Sequence, residues 1–227
     1  MLYRSLALCA LASVVVVAAC GDDNNNVTGT TNSTATVRFV NATGNTNISV
    51  ANNGTVATGN SALGFGSSSS CMTVNTSSPS LTFTNSGTSA AISGFTPNFA
   101  NNGNYTIVAY TDASGNTQFA TLDNTFTATT GQAGVRVFNG ASGSGNIVLN
   151  GTNGVLNGGA STAFGNSGAF FSTPSGSSTF SFNTGTGTTS LASTGNVTLT
   201  AGQNSTVVLG PAATGSTARR AFVVTGC

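Results

Sequence analysis

Most of this 227-residue chain is written twice. TVRFVNATGNTNISV (Thr36 to Val50) returns as GVRVFNGASGSGNIVL (Gly134 to Leu149), and LGFG (Leu63 to Gly66) returns as TAFG (Thr162 to Gly165). Likewise LTFTNSGTS (Leu81 to Ser89) returns as FSFNTGTGT (Phe180 to Thr188), and NYTIVA (Asn104 to Ala109) as NSTVVL (Asn204 to Leu209). The blocks keep their order at an offset of 98 to 100 residues. A repeat of that length is long enough to enclose a core of its own, so the sequence predicts two homologous domains, 35–132 and 133–227, the second including the C-terminal strand.

Each repeat reads as β structure. Apolar and polar residues alternate in Val37-Arg38-Phe39, Leu81-Thr82-Phe83 and Phe180-Ser181-Phe182, the period of two of a half-buried strand. Between such runs lie Asn52-Asn53-Gly54, Ala113-Ser114-Gly115-Asn116 and Gly185-Thr186-Gly187, which supply the positive φ angles of hairpins. No helical stripe occurs after the first 20 residues. The expected fold class is all-β, with two tandem immunoglobulin-like or transthyretin-like β-sandwich domains. A parallel β-helix favours the same small polar residues, but it repeats about every 20 residues, and no such period is present.

Composition removes whole classes of chemistry. The charged residues are Arg4, Arg38, Arg136, Arg219 and Arg220 against Asp22, Asp23, Asp112 and Asp123, a net charge of +1. No basic stripe exists to neutralise a row of phosphates, so nucleic acid is not an expected partner. Fourteen Phe and a 38% hydrophobic content supply a core and argue against a disordered chain. The absence of His, Glu and Lys removes the Ser-His-Asp triad, His/Glu zinc sites and Schiff-base lysines. Asp112 and Asp123 are the only carboxylates in the repeats. A hairpin turn at Ala113 to Asn116 would set them about 20 Å apart along the strand, against about 5 to 9.5 Å in glycosidases. The chain reads as a non-enzyme without cofactor or metal.

Other candidate side chains have structural readings. Asp112, Ser114 and Asn116 in DASGN supply too few carboxylates for calcium and read as an Asx turn. Arg38 and Arg136 hold the same place in both repeats, opposite the faces of Val37/Phe39 and Val135/Val137. They are expected on the solvent side, discouraging edge pairing or reaching a neighbouring carbonyl. Tyr105 and Tyr110 are separated by an odd number of positions, so they point to opposite faces of one strand and are assigned to packing or turn support rather than to a sugar platform.

The amino terminus sets location. Leu6 to Ala19 is an apolar run interrupted only by Cys9 and Ser13, with Arg4 before it and GDDNNN after it. It is shorter than the roughly 20 residues of a spanning helix and has the layout of a signal peptide, residues 1–19. A spanning anchor is the competing reading. Val17-Ala18-Ala19-Cys20 resembles the lipobox of bacterial lipoproteins. That resemblance implies a diacylglyceryl group on the Cys20 thiol, cleavage before Cys20, and acylation of the new amino terminus by a palmitate-type chain. Two or more acyl chains give stable anchoring where one does not. The alternative is an ordinary secreted protein with a chance Cys at the cleavage point. Residues 20–34 then form a lipidated flexible linker reaching on the order of 20 Å. Gly21 stands where an inner-membrane retention signal would place Asp, which favours the outer membrane, at its periplasmic face or at the cell surface.

The duplicated VRFVNA and VRVFNG openings, the Phe-Gly midway, and the late NYTIVAY and NSTVVLG strands resemble the bacterial DUF (domain of unknown function) family 4397 over most of residues 35–210. The resemblance implies a lipid-anchored or exported protein, and because that family has no established activity it brings no catalytic residue. Where family members commonly carry a Pro- and Asp-containing segment after the first strand, this chain has Gly44-Asn45-Thr46 and Gly143-Ser144-Gly145.

With Cys9 removed and Cys20 lipidated, Cys71 and Cys227 remain. Two leftover thiols in an exported protein most often pair. An intramolecular disulfide is the first expectation, with an intermolecular bridge or free thiols as alternatives. The bridge would hold RRAFVVTGC against the first domain. Strand edges have almost no charges to protect them, leaving Pro79, Pro97, Pro174, Pro211, turns and docking to do so, so self-association is open. The expected role is a non-catalytic structural or binding module of the cell envelope, its partners being membrane lipid through acylated Cys20 and envelope polysaccharide or protein. The alternative is an adhesin-like surface protein that binds polysaccharide or a protein partner through its loops.

Overall fold

The first repeat folds into β1 (Thr34–Asn41), β2 (Ile48–Asn52), β3 (Met72–Asn75), β4 (Leu81–Asn85), β5 (Asn104–Thr111) and β6 (Thr117–Asp123). The second folds into β7 (Gln132–Asn139), β8 (Ile147–Gly151), β9 (Gly154–Val155), β10 (Phe171–Pro174), β11 (Gly176–Ser178), β12 (Ser181–Thr184), β13 (Ser190–Ser193), β14 (Val197–Leu199), β15 (Asn204–Gly210) and β16 (Arg220–Thr225). This computed structural model describes residues 33–227 except 89, 153, 157–158 and 186–188. Val17, Ala18, Ala19 and Cys20, nearly all of the linker, and the turn at Thr186-Gly187 therefore lie outside the described residues. No α-helix occurs among the described residues.

The two repeats build the same main sheet. Its order is β3-β1-β5-β6 in the first and β10-β7-β15-β16 in the second. In each, the opening strand runs parallel to the late one, Val37 beside Tyr105 and Val135 beside Ser205, while the flanking pairs are antiparallel. β16 thus occupies in the second repeat the place that β6 holds in the first. Pro174 sits on the edge strand β10, the position a strand proline tolerates because no ladder donor is lost.

A second layer closes each sandwich. In the first repeat β2 pairs with β4, Val50 opposite Phe83. In the second, β13-β12-β8-β9 places Phe182 opposite Leu149, and β11 pairs with β14. Val37, Phe39, Ile48, Val50, Phe83 and Ile107 fill the first core. Val135, Val137, Ile147, Leu149, Phe182 and Val207 fill the second. The fold is all-β, two β-sandwiches in tandem.

The half-burial predicted at Val37–Phe39, Leu81–Phe83 and Phe180–Phe182 holds, with Arg38, Thr82 and Ser181 less buried than Phe39, Phe83 and Phe182, but other strands are buried on both faces. β7 and β15 are buried along almost their whole length, and β5 over the continuous run Tyr105 to Ala109. The reason is a third core between the sandwiches: Val40, Val108 and Leu122 on the back of the first main sheet pack with Phe138, Val208 and Val224 on the back of the second. These are the same positions of the two repeats, so the sheets meet back to back through matching surfaces, as two identical subunits would in an isologous dimer. The described residues of both repeats form one compact unit as a result.

Candidate functional site

The asparagine that ends VRFVN and VRVFN is a buried bracket in both repeats. Asn41 and Asn139 are fully buried. The Asn41 amide donates from Nδ2 to the carbonyls of Thr46 and Leu63, each at 2.7 Å, and its Oδ1 accepts from the Thr43 N–H at 2.8 Å and hydroxyl at 2.7 Å. Asn139 repeats the pattern with the carbonyls of Gly145 and Thr162 and with the Ala141 N–H and Ser144 hydroxyl. One side chain thereby ties the β1–β2 loop to the incoming Leu63 segment, work that would otherwise need a strand pair. Asn41→Ala leaves the Thr43 N–H without its acceptor, while the Leu63 carbonyl keeps the Ile48 N–H and the Thr46 carbonyl keeps the Thr43 hydroxyl; a buried hydrogen bond left unmade costs about 1 to 3 kcal/mol. A loss of about 3 kcal/mol in denaturant unfolding is expected, with Asn139→Ala matching it.

The repeated arginines are not on the solvent side. The two main sheets cover Arg136 and half-cover Arg38, and each reaches across to the other repeat. Arg136 is 4% exposed. It donates from Nη1 to the Asp123 carbonyl at 2.6 Å, from Nη2 to Asn124 Oδ1 at 2.6 Å and from Nε to Thr206 Oγ1 at 3.0 Å. Its guanidinium also lies 4.4 Å from the Phe170 ring centroid. Arg38, half-buried, donates from Nη1 to the Thr225 carbonyl and from Nη2 to Cys71 Sγ at 3.2 Å. Asp123 faces Tyr105 across β6 and β5, and Thr225 faces Ser205 across β16 and β15. Each arginine therefore holds the carbonyl of the equivalent residue in the opposite repeat, a reciprocal clasp. Of the two predicted roles, reaching a carbonyl is the one the structure shows. Burial lowers the pKa of both; that of Arg136 falls to about 10 with partial compensation from Asp123, so it stays charged at neutral pH.

The seam carries two further ties. Cys71 and Cys227 form a disulfide, which joins the residue before β3 to the end of the chain. Arg220 donates from Nη2 to the Gly44 carbonyl at 2.7 Å and lies 3.6 Å from the Phe65 centroid, and Phe65 meets Phe222 edge-on. Gly210 is required here, since the Phe65 ring occupies the place where a β-carbon would stand. RRAFVVTGC thus pairs within the second repeat and is held against the first, as the bridge implied.

Another surface feature is a groove of about 570 Å³ on the first repeat, between the segment after β4 and the β5–β6 hairpin. Asn85, Ser93, Asn116 and Gln118 line it, together with Phe95 and Phe119, and none of its lining residues is charged. Phe95 and Phe119, both partly exposed, pack at 5.0 Å on each other and at 5.5 and 4.6 Å on buried Phe83. A second hollow of about 570 Å³ adjoins it and shares Thr46 and Asn85. Asp112 shapes the rim as the predicted Asx turn: Oδ1 accepts the N–H groups of Ser114 and Asn116 at 2.9 Å, and Oδ2 accepts Gln118 Nε2 at 2.9 Å. Those bonds, with the Asn116 N–H first, hold its carboxyl below the usual Asp value.

Asp112 and Asp123 stand at opposite ends of the hairpin, one at its turn and one paired with Tyr105, and no group of three or more His, Cys, Asp or Glu occurs among the described residues. Tyr105 packs on Phe99 in the first core while Tyr110 packs on Phe138 and Phe164 in the seam, the opposite faces that their spacing implies. The groove was not legible in the sequence, because its lining converges from three separate loops and from the strands β4 and β6. The Asn41/Asn139 bracket had one available signal, recurrence of the same Asn at the end of both opening strands.

No curated protein matches the chain. A family model described as a domain of unknown function, DUF4397, matches residues 35–150, which takes in the first repeat and, of the second, β7 and all but the last residue of β8. On that match, over half of its length, the chain belongs to the DUF4397 family.

Proposed function

We propose that this chain is a non-catalytic lipoprotein of the bacterial cell envelope, held to a membrane by acyl chains on Cys20 and serving as a rigid structural or binding module. The observation that carries the reading is Val17-Ala18-Ala19-Cys20 closing an apolar run too short to span a bilayer. The rest of the chain supports it, with a polar linker leading into one compact unit locked by a seam, a clasp and a disulfide. Separated carboxylates and a set of side chains without His, Glu or Lys agree with a role in holding or binding rather than in catalysis. Gly21 favours the outer membrane.

Intact mass spectrometry of membrane-extracted protein tests this. The expected mass lacks residues 1–19, gains a diacylglyceryl group and an amino-terminal acyl chain, and is lower by two hydrogens for the disulfide. Cys20→Ser is expected to abolish both cleavage and lipid. An unprocessed chain of full length, or a cleaved one without lipid, overturns the reading. The second reading, an adhesin-like surface protein that recognises polysaccharide or a protein partner through loops, is favoured by one observation, the uncharged groove between the loops of the first repeat.

A further inference from the structure

We infer that β6 is a docking edge for an extended peptide segment of a partner protein, which adds to the first main sheet as a further strand and carries apolar side chains at alternate positions and no acidic ones. The inference rests on the binding-module reading and names the kind of partner it takes.

The edge offers main-chain groups in a regular row. The Asp112 N–H donates to the Asn116 carbonyl at 2.9 Å and the Asn124 N–H to the Asn104 carbonyl at 2.8 Å. Between them the register makes Tyr110 and Gln118, Val108 and Ala120, and Thr106 and Leu122 the bonded pairs. The N–H and C=O groups of Thr117, Phe119 and Thr121 therefore point away from β5, and among the described residues no other strand pairs with β6. The row ends at Asp123, whose carbonyl is held by Arg136. Along it the sequence TQFAT has no charge and no proline, and the register with β5 runs without a bulge, so the usual guards of an edge strand are missing. The other edges of the two main sheets have one. Asn52 Nδ2 donates to the Thr73 carbonyl of β3 at 2.9 Å, β10 carries Pro174, and β13 lies against β16.

The second repeat shows why the first is open. β16 and β6 hold the same place, and Ala221 opposite Leu209 matches Phe119 opposite Ala109. The methyl group of Ala221 lets β13 close on β16. In the first repeat the Phe119 ring meets the Phe95 ring at 5.0 Å instead, and residues 91–95 stand off from β6 across the groove of about 570 Å³. A strand laid along Thr117 to Thr121 enters that groove. Its residues opposite Thr117, Phe119 and Thr121 turn the same way as Phe119, toward Ile92 and Phe95, and call for apolar side chains. Those between them turn to the side of Gln118 and Ala120 and call for small polar ones. Charge sets a further condition: Asp112 and Asp123, which flank the row, are both acidic, so an acidic segment is repelled and a basic residue at its end is favoured. A second copy of the chain fits less well. Two β6 strands paired about a two-fold axis would put both second repeats on one side of the joined sheet. There the second repeat already flanks β6, with Phe164 on Tyr110 beside the hairpin and Phe170 on Phe126 after Asp123.

The test is residue-resolved hydrogen exchange of the detergent-extracted full chain with a capped heptapeptide of alternating Val and Thr. Versions with Lys or with Glu at both ends, and two N-methylated versions that block alternate donors, complete the set. Main-chain bonds carry the affinity of strand addition, so a generic sequence serves as the probe. At millimolar peptide, exchange of the Thr117, Phe119 and Thr121 amides is expected to slow by about tenfold or more, while that of Gln118 and Ala120, already bonded to β5, stays as it was. The Glu version is expected to bind weakest. One methylated version is expected to lose binding and the other to keep it, because only alternate donors face the edge. Thr121→Pro removes an outward donor and no bond to β5, and is expected to weaken binding about tenfold, with unchanged circular dichroism showing that the fold survives. Thr121→Lys, which keeps the main chain intact, is expected to erase the preference for Lys over Glu. The inference is overturned by no slowing with any peptide, by slowing without the odd-even pattern, or by equal behaviour of the two methylated versions. It is overturned too if these amides are already protected without peptide, at every dilution through the chain's own linker or only where sedimentation reports a dimer. Lipid on Cys20 is read by mass and strand addition by exchange, so failure of either leaves the other result standing.

Discussion

Arg136→Ala is expected to lower stability by about 3 to 5 kcal/mol, since several buried neutral acceptors lose a charged donor at about 1 to 3 kcal/mol each. The Asp123 carbonyl and Thr206 Oγ1 lose the guanidinium donor, and Asn124 Oδ1 is left with only the longer bond from the Thr106 hydroxyl at 3.3 Å. Water cannot easily replace it, because Asn124, Arg136 and Thr206 are each at most 5% exposed. The Phe170 ring also loses the cation that covers it. For a unit of this size each kcal/mol corresponds to about 2 to 4 °C, so thermal unfolding followed by circular dichroism should move down by roughly 10 °C. Arg38→Ala is the internal comparison. It occupies the same place in the first repeat, but it is half-buried and its Nε has no hydrogen-bond partner, so solvent can take over the exposed end and a drop of about 1 to 2 kcal/mol is expected. Equal losses in the two variants would mean that burial across the seam does not set the strength of the clasp.

That contrast marks where local sequence pattern stops being informative. Alternation in VRFV assigns Val37 and Phe39 to the core and puts Arg38 on the other face, and this is correct as far as it goes. Period alone cannot say what lies against that other face. The signal that the second face is also buried sits elsewhere, in the nearly continuous apolar runs IVAY and VVLG of β5 and β15, since strands buried on both sides lose alternation. Tyr105 and Tyr110 lie on opposite faces as their spacing requires, because parity along one strand is a geometric fact. Duplication could be read directly because it is a property of order, and the all-β class came from the turns and alternation. The seam itself required knowing that the two copies turn their backs to each other. Position within a repeat does not encode that, even though Val40 and Phe138, Val108 and Val208, and Leu122 and Val224 are matched pairs. The groove was less legible still. Its residues come from places as distant as Thr46 and Phe119, and none of them stands out locally by charge or motif.

Removing the Cys71–Cys227 bridge is expected to have the other large effect. The two residues are separated by 156 positions, and closing a loop of that size restricts the unfolded chain by about 5 kcal/mol in the chain-entropy model, a large part of the roughly 5 to 15 kcal/mol margin of an ordinary domain. The folded state should nonetheless persist without it, because β16 keeps its six-residue pairing with β15, Arg220 keeps its bond to the Gly44 carbonyl, and Phe222 keeps its edge contact with Phe65. Cys71→Ser/Cys227→Ser is therefore expected to show the native circular dichroism spectrum and an unfolding midpoint at markedly lower urea. The denaturant slope distinguishes the cause. If the bridge acts by holding the unfolded chain compact, its removal exposes more surface on unfolding and the slope rises. If it acts by holding β16 in place, the slope stays constant and the C-terminal strand exchanges its amide hydrogens ahead of β15. A rise in slope with β16 still protected is the expected result, since the seam holds that strand by its own contacts and leaves the covalent tie to act chiefly where those contacts are absent.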